Sequence, residues 1–283
     1  MGPLRRAPFF LMKTMTNPLA TVTGEVPLIQ AGPQLVKAAQ QRLNAHGFCL
    51  AEDGIPGTRT VAAFRSFKTL NYLGSVDILG PTVARKLLEE PAFKRTLVND
   101  DYKEAANLLR VEVAVIRAIV EVETSGGGFF EDGRPKILFE AHIFDGFTDG
   151  KYRKSYPNIS SAKWNRSLYK GGTGEYDRLW AAQKLDNSAA LKSASWGLGQ
   201  IMGMNHSACG YANVEKFVEA MHKSEGLQLM AMCSFIKTNN LDDELRQHRW
   251  ADFARAYNGP SFLANNYHTR LADAYKKHLA ASL

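Results

Sequence analysis

Apolar residues recur at helical spacing along most of the chain, and no segment sustains the strict alternation of a strand. Near the front, Leu35, Ala38, Ala39, Leu43 and Phe48 mark one helical face, and Gly47 ends that helix. Asp53-Gly54 is a turn signal, and Gly57 opens a second helix carrying Val61, Phe64 and Phe67. A shorter echo follows, Asp77-Ile78-Leu79-Gly80-Pro81-Thr82 and then Val83, Leu87 and Leu88, with Pro81 suited to a first helical turn. Two turn–helix units in tandem read as an internal duplication. Further on, the pattern predicts helices over 101–109, 111–125, 175–184, 213–238, 242–257 and 261–280. The stretch 126–175 is rich in Gly, Asn and aromatic residues; a connection that long is functional or holds small elements of its own.

The expected fold class is therefore mainly α, in two domains. A small three-helix domain occupies 31–90, and a larger helical domain occupies 100–283. Glu89-Glu90-Pro91 breaks the third helix and Asn99-Asp100 offers a cap for the next, so 91–99 reads as a linker. Residues 1–30 scatter Arg5, Arg6 and Lys13 among Pro3, Pro8 and Pro18 without a helical period, and are expected to be a flexible leader.

Composition narrows the classes. The 283 residues suit two domains of roughly 150 each. With 45% hydrophobic and 22% charged residues the balance is globular. No run approaches the ~18–20 apolar residues of a membrane span. The early run Ala7-Pro8-Phe9-Phe10-Leu11-Met12 is shorter than the ~7–15-residue core of a secretory signal. A soluble, monomeric chain made in the cytoplasm without stable membrane insertion is expected. Cys49, Cys209 and Cys233 form neither a disulfide framework nor a zinc set. His142, His206, His222, His248 and His268 lack metal-ligand spacing, so no metal and no cofactor are expected. The net charge of +7 draws the chain to polyanions. No helix-turn-helix, zinc finger or basic–aromatic run accompanies it, and nucleic acid is not the expected partner.

The candidate chemistry lies at the end of the helix running from Val111 toward Gly126-Gly127-Gly128. At about 100° per residue, Val113, Ile116, Ile119 and Val120 share an apolar face, and Glu123 falls in its middle. Glu121 lies on the opposite side, placed to pair with Arg117, while Glu112 suits the first turn. Desolvation raises a carboxyl pKa, and the negative end of a helix dipole opposes another negative charge. A glutamic acid so placed stays protonated near neutral pH and serves as a general acid. The residues alone leave open a structural Glu123 held by a backbone donor or an Arg.

Several motifs add a resemblance. Gln40-Gln41-Arg42-Leu43, Gly47-Phe48, Asp53-Gly54-Ile55-Pro56-Gly57-Thr58-Arg59-Thr60 and Phe64-Arg65-Ser66-Phe67-Lys68 resemble the three-helix peptidoglycan-binding domain of cell-wall hydrolases. Lys68 stands where that family has Gln, and Ile78 where its second turn has Gly. Ala118 to Phe129, with Glu123-Thr124, resembles the catalytic helix end of goose-type lysozymes and lytic transglycosylases. Ser195-Trp196-Gly197-Leu198-Gly199-Gln200-Ile201 and Ala256-Tyr257-Asn258-Gly259 resemble their second and third signatures, in the family's order. Gly133 to Phe144 and Tyr156-Pro157-Asn158-Ile159-Ser160 resemble the N-acetylmuramidase domain of bacteriophage endolysins, in particular the modular ones of phages of Gram-negative hosts.

The resemblance implies a lysozyme-like catalytic domain that hydrolyses the β-1,4 bond between N-acetylmuramic acid and N-acetylglucosamine, with bacterial peptidoglycan as partner. It implies an enzyme held in the host cytoplasm until a separate membrane lesion releases it. Glu123 would be the acid. Glycosidases commonly use a second carboxylate, and among Glu131, Asp132, Glu140 and Asp145 the apolar surroundings favour Glu140, which equally fits a bracing role. Gln200, Tyr257 and Asn258 would meet the substrate, and Asp53, Gly54, Gly57 and Thr60 the wall, although Asp53 and Thr60 also fit plain turn and cap chemistry. Trp164, Tyr169, Trp180 and Trp196 are candidates for stacking on sugar. Two alternatives stand: a lytic transglycosylase giving 1,6-anhydromuramic products, and a non-catalytic wall-binding virion protein.

Overall fold

The computed structural model describes residues 17–281 apart from 49, 75, 91–94, 125 and 264. The chain is mostly helical and builds two hydrophobic cores. The front core is wrapped by α1 (Pro33–Ala45), α2 (Thr58–Leu70) and α3 (Pro81–Leu88). Pro33 and Pro81 both occupy first turns, where a missing N–H costs nothing. The short strands β1 (Val26–Pro27) and β2 (Ile78–Leu79) pair antiparallel, with Val26 opposite Leu79. Residues 17–30 were expected to belong to a leader, and here the structure differs. Leu19 and Leu28 are fully buried in the front core, and β1 is tied to β2, so this part of the chain is a packed layer. Two isolated leucines at that spacing carry no period to reveal it. The rest of the expected leader lies outside the described residues.

The larger core begins with α4 (Asn99–Leu109) and α5 (Val113–Glu123). The turn between them needs a left-handed backbone at Arg110, φ 56°. On α5, Ile116 and Ile119 are completely buried, as the period requires. Glu121 pairs across to Lys277 and His278 instead of Arg117, which sits over the Tyr102 ring. The long 126–175 stretch holds β3 (Ile137–Phe139) and α6 (Ala141–Phe147). Next come α7 (Glu175–Gln183), α8 (Asn187–Lys192), β4 (Ala194–Trp196) and β5 (Ile201–Met202). β4 is the centre of a three-stranded antiparallel sheet, with Ile137 opposite Trp196 and Ser195 opposite Met202.

The expected helix over 213–238 is two helices, α9 (Val214–Lys223) and α10 (Glu225–Thr238). Ser224 divides them in an extended conformation, its hydroxyl accepting from the Leu227 N–H as the cap of α10. The expected 242–257 helix likewise divides into α11 (Asp242–Arg246) and α12 (Trp250–Asn258). The last helix, α13 (Tyr267–Ala280), packs along α5.

The two cores meet at a tight joint. Arg95 is almost fully buried, its guanidinium 4.4 Å from the Phe48 ring of the front core and 4.0 Å from Phe129 of the rear. It donates to the carbonyls of Gly133 (2.7 Å) and His222 (3.1 Å). A side chain at Gly133, φ 78°, would collide with Phe48, its Cβ 1.9 Å from a ring carbon. Arg59–Glu131 and Tyr72–Glu219 contacts extend the joint.

Candidate active site

Glu123 is the last residue of α5, half-buried. Thr124 closes the helix, its hydroxyl donating to the Val120 carbonyl at 2.6 Å. Burial is the main influence on the Glu123 carboxyl and raises its pKa above the ordinary glutamate value. Two groups oppose that rise: Asn258 donates its Nδ2–H to Glu123 Oε1 at 3.0 Å, and the positive charge of Arg270 lies nearby. Arg270 also donates to the Val122 carbonyl at 3.2 Å, meeting an otherwise orphaned acceptor at the helix end.

Asn258 ends α12, where Gly259 turns away at φ 74°. Its neighbour Tyr257 stacks on Phe253 (ring centroids 5.4 Å apart) and meets Phe235 edge-on. The Tyr257 hydroxyl is buried without a hydrogen-bond partner among the described residues. Burial, and then the Glu123 charge, push its pKa far up, so it remains a neutral O–H donor. The third sequence signature thus meets Glu123 directly.

The second signature forms the β4–β5 hairpin turn, with Gly197 at φ 67° and Gln200 at φ 48°. Gln200 is exposed, but its amide is spent inside the protein. Oε1 accepts from Ser195 (2.9 Å), and Nε2 donates to the carbonyls of Gly197 (2.8 Å) and Lys136 (3.2 Å). Lys136 N–H donates in turn to the Gly128 carbonyl at 2.8 Å, joining this turn to the glycine loop after Glu123.

The first turns of α10 hold both loops. Glu225 accepts from Gly128 N–H at 2.6 Å through Oε1, and from Leu97 N–H at 3.1 Å through Oε2. Gln228 accepts from Leu198 N–H at 2.7 Å and donates to the Met221 carbonyl at 2.6 Å. The approach is close enough to require glycine at 128, whose Cβ would fall 1.7 Å from Gln228 Oε1. Replacing Gln228 by Ala should strand the buried Leu198 N–H. Stability is expected to fall by about 1–3 kcal/mol and the 197–200 turn to loosen. Thermal melts and turnover measured together check this, and an unchanged melt with unchanged turnover would dismiss the role.

Glu140 lies elsewhere, between β3 and α6. Tyr169 O–H reaches both of its oxygens (2.9 and 2.7 Å), Trp164 Nε1–H donates to the Tyr169 oxygen at 2.8 Å, and His142 stands 3.3 Å away. Burial and the Glu140 carboxylate push the Tyr169 hydroxyl up to about 12. The other carboxylates considered are also committed: Glu131 to Arg59, Asp132 to Arg134, and Asp145 to Arg153 and Ser160. None of these contacts is to Glu123.

Asp53, Gly54 and Thr60 gather beside the front core around the buried Gln40. Its Nε2 donates to Asp53 Oδ1 (2.9 Å) and Thr60 Oγ1 (3.1 Å), and its Oε1 accepts from Gly54 N–H (2.8 Å). The Gln40 amide, and then the Ile55 N–H, hold the Asp53 carboxyl below its usual range. Gly57 is the residue before α2. Asp53 Oδ1 also accepts from Ile55 N–H at 2.8 Å, so these contacts close the turn before α2. Cys209 and Cys233 are buried free thiols, pushed up to about 12 by burial, and Cys49 lies outside the described residues. Among the described residues no three His, Cys, Asp or Glu side chains are grouped to hold a metal, and no helix is long and apolar enough to cross a membrane.

A mainly helical fold with a partly buried carboxylic acid at the end of α5, bonded by the Asn258 amide and near a buried tyrosine, matches a lysozyme-like glycosidase. The chain belongs to the N-acetylmuramidase family, whose members degrade peptidoglycan: the family's model matches residues 112–279. The chain is also similar to the Burkholderia AP3 phage endolysin of known crystal structure, with 36% sequence identity and a TM-score of 0.63. That match covers 87% of this chain and 95% of the endolysin. No curated protein matches it.

Proposed function

We propose that Glu123 protonates the glycosidic oxygen between N-acetylmuramic acid and N-acetylglucosamine, and that the front domain holds the enzyme on the wall. The observation carrying this reading is the half-buried Glu123 carboxyl at the end of α5, raised by burial and oriented by Asn258. The neutral acid gives its proton to the leaving oxygen as the bond to the anomeric carbon breaks. Asn258 holds Oε1 as donor before and after transfer, and the nearby charge of Arg270 eases the carboxylate that remains. Water completes the hydrolysis, taking the anomeric carbon to a hemiacetal.

Of the two roles open to Glu140, its engagement by Tyr169 and His142 supports bracing of the loop that carries Trp164. The Gln200 amide is occupied, so any contact of this turn with an acetamido group is assigned to its backbone. Asp53, Gly54, Gly57 and Thr60 shape the front-domain turn and would serve wall binding by holding it rigid. Tethering by that domain raises the local concentration of enzyme on its polymer. The net charge of +7 assists at an anionic wall. The reading has the monomer reach the wall from the host cytoplasm.

Product mass spectrometry tests the outcome. Hydrolysis adds water and leaves reducing-end muramic acid. Products carrying a 1,6-anhydro ring instead would replace the water step with attack by the sugar's own hydroxyl.

A further inference from the structure

A cavity of about 510 Å³ lies between α2 of the front domain and α7 and α9 of the rear. Its size falls within the ~300–1,000 Å³ of small-ligand sites. Glu123, Asn258 and Gln200 are absent from its lining. Strand β4 separates the two regions, since successive side chains on a strand face opposite ways. Ser195 donates toward Gln200, while the ring of Trp196 forms part of this cavity.

The walls are aromatic and come from both domains. Tyr72, on the front side, is 77% exposed, and Trp180, on the rear, is 46% exposed. Tyr176 backs Trp180, with ring centroids 5.6 Å apart. Polar groups are fixed among them. Arg134 lies over Tyr176 at 4.4 Å and over Trp180 at 5.4 Å, and Asp132 clamps its Nε (2.9 Å) and Nη2 (2.5 Å). Arg134 Nη1 has no hydrogen-bond partner among the described residues, nor has the Glu215 carboxylate. The cavity therefore offers a donor and an acceptor beside two exposed rings.

Its charges are balanced internally. Arg65 is paired with Asp77, Arg134 with Asp132, and Glu219 with Lys216 and Lys223. His222, in the wall against Trp196, is driven by burial to about 3 and is neutral. A polyanion or a phosphate finds no net positive field here. A neutral ring with apolar C–H faces and amide and hydroxyl edges meets every group: rings for the faces, Arg134 and Glu215 for the edges.

We infer that this interdomain cavity is a second glycan-binding site, taking an N-acetylhexosamine unit of the wall polymer away from the cleavage point. Holding the polymer at a second point makes engagement of the first effectively intramolecular. Because Tyr72 and Trp180 stand on different domains, the site exists only while the joint at Arg95 is closed.

The test uses the full chain carrying Glu123→Gln, titrated calorimetrically with the N-acetylglucosamine tetramer. Two binding events are expected, and one should vanish with Trp180→Ala. With Glu123 intact, Trp180→Ala should leave kcat on a short soluble glycan unchanged. On intact sacculi KM should rise about 2- to 10-fold, the size of one aromatic contact. Tyr72→Ala, on the opposite wall and mostly exposed, should act in the same direction and decides the matter if Trp180→Ala lowers the melting temperature. A single binding event untouched by either variant would overturn the site. Displacement of the tetramer from it by free stem peptide would overturn the glycan assignment. Loss of kcat on the soluble glycan with an intact melt would place Trp180 in the cleavage site and overturn the separation.

Discussion

Glu123→Gln should lower turnover on peptidoglycan about 10²- to 10⁴-fold, the range set by a positioned general acid. The amide keeps the size of the side chain and cannot donate a proton of useful acidity. Folding and sedimentation with the wall should be retained. Parent-like turnover in the Gln variant would sink the assignment. The pH dependence gives an independent check. Burial raises the folded carboxyl of Glu123 above its unfolded value, so activity should decline as pH rises through that raised pKa. Stability follows the same sign. The group's favourable contribution is complete below the ordinary glutamate pKa and is lost as pH climbs through the folded value. Gln does not ionise, so the variant's melting temperature should gain on the parent's from acid toward neutral pH. Asn258→Ala removes a bond that favours the ionised form, and the basic limb of the rate profile should then move to higher pH.

The buried placement of Glu123 was legible in sequence because everything marking it is local. A helical period puts Glu123 on the buried face, and the glycines after it mark the helix end. Asn258 and Tyr257 were legible only as a motif, since no local rule says that the end of α12 meets the end of α5, 135 residues away. The contacts of Glu225, Gln228 and Arg270 leave no local signal for the same reason. The Glu225 carboxylate serves a backbone N–H 97 residues off, and a buried polar side chain in a helix leaves no period to detect. Ser224-Glu225 did carry a capping signal, and reading it would have split the expected 213–238 helix at the right place. The helical class of the chain was readable throughout. β3 was not, because three apolar residues fit a strand or a helix equally.

The largest expected stability loss lies behind β3. Glu175 and Arg178, both on α7, are buried with 0% and 2% of their side chains exposed, and their charged atoms are 2.8 Å apart. Glu175 also accepts from the N–H groups of Phe139 (3.3 Å), Lys170 (2.6 Å) and Gly171 (2.9 Å). Arg178 donates to the carbonyls of Phe139 (2.8 Å) and Asn158 (3.2 Å). The pair therefore ties β3 to the loop that carries Tyr169. Glu175→Ala removes the counter-charge and leaves a buried guanidinium unpaired and three backbone donors unmet. A cost of about 3–5 kcal/mol is expected. At ~2–4 °C per kcal/mol for a domain of this size, the melting temperature should drop by roughly 6–20 °C. Taking the Arg away as well, in Glu175→Ala/Arg178→Met, should recover part of the loss, because the uncompensated charge is then gone. A double variant less stable than Glu175→Ala would show that Arg178 still finds compensation in the carbonyls of Phe139 and Asn158, and that the lost N–H acceptors dominate. The same melts followed by near-ultraviolet dichroism should report the release of Trp164 and Tyr169, whose mutual hydrogen bond depends on this loop.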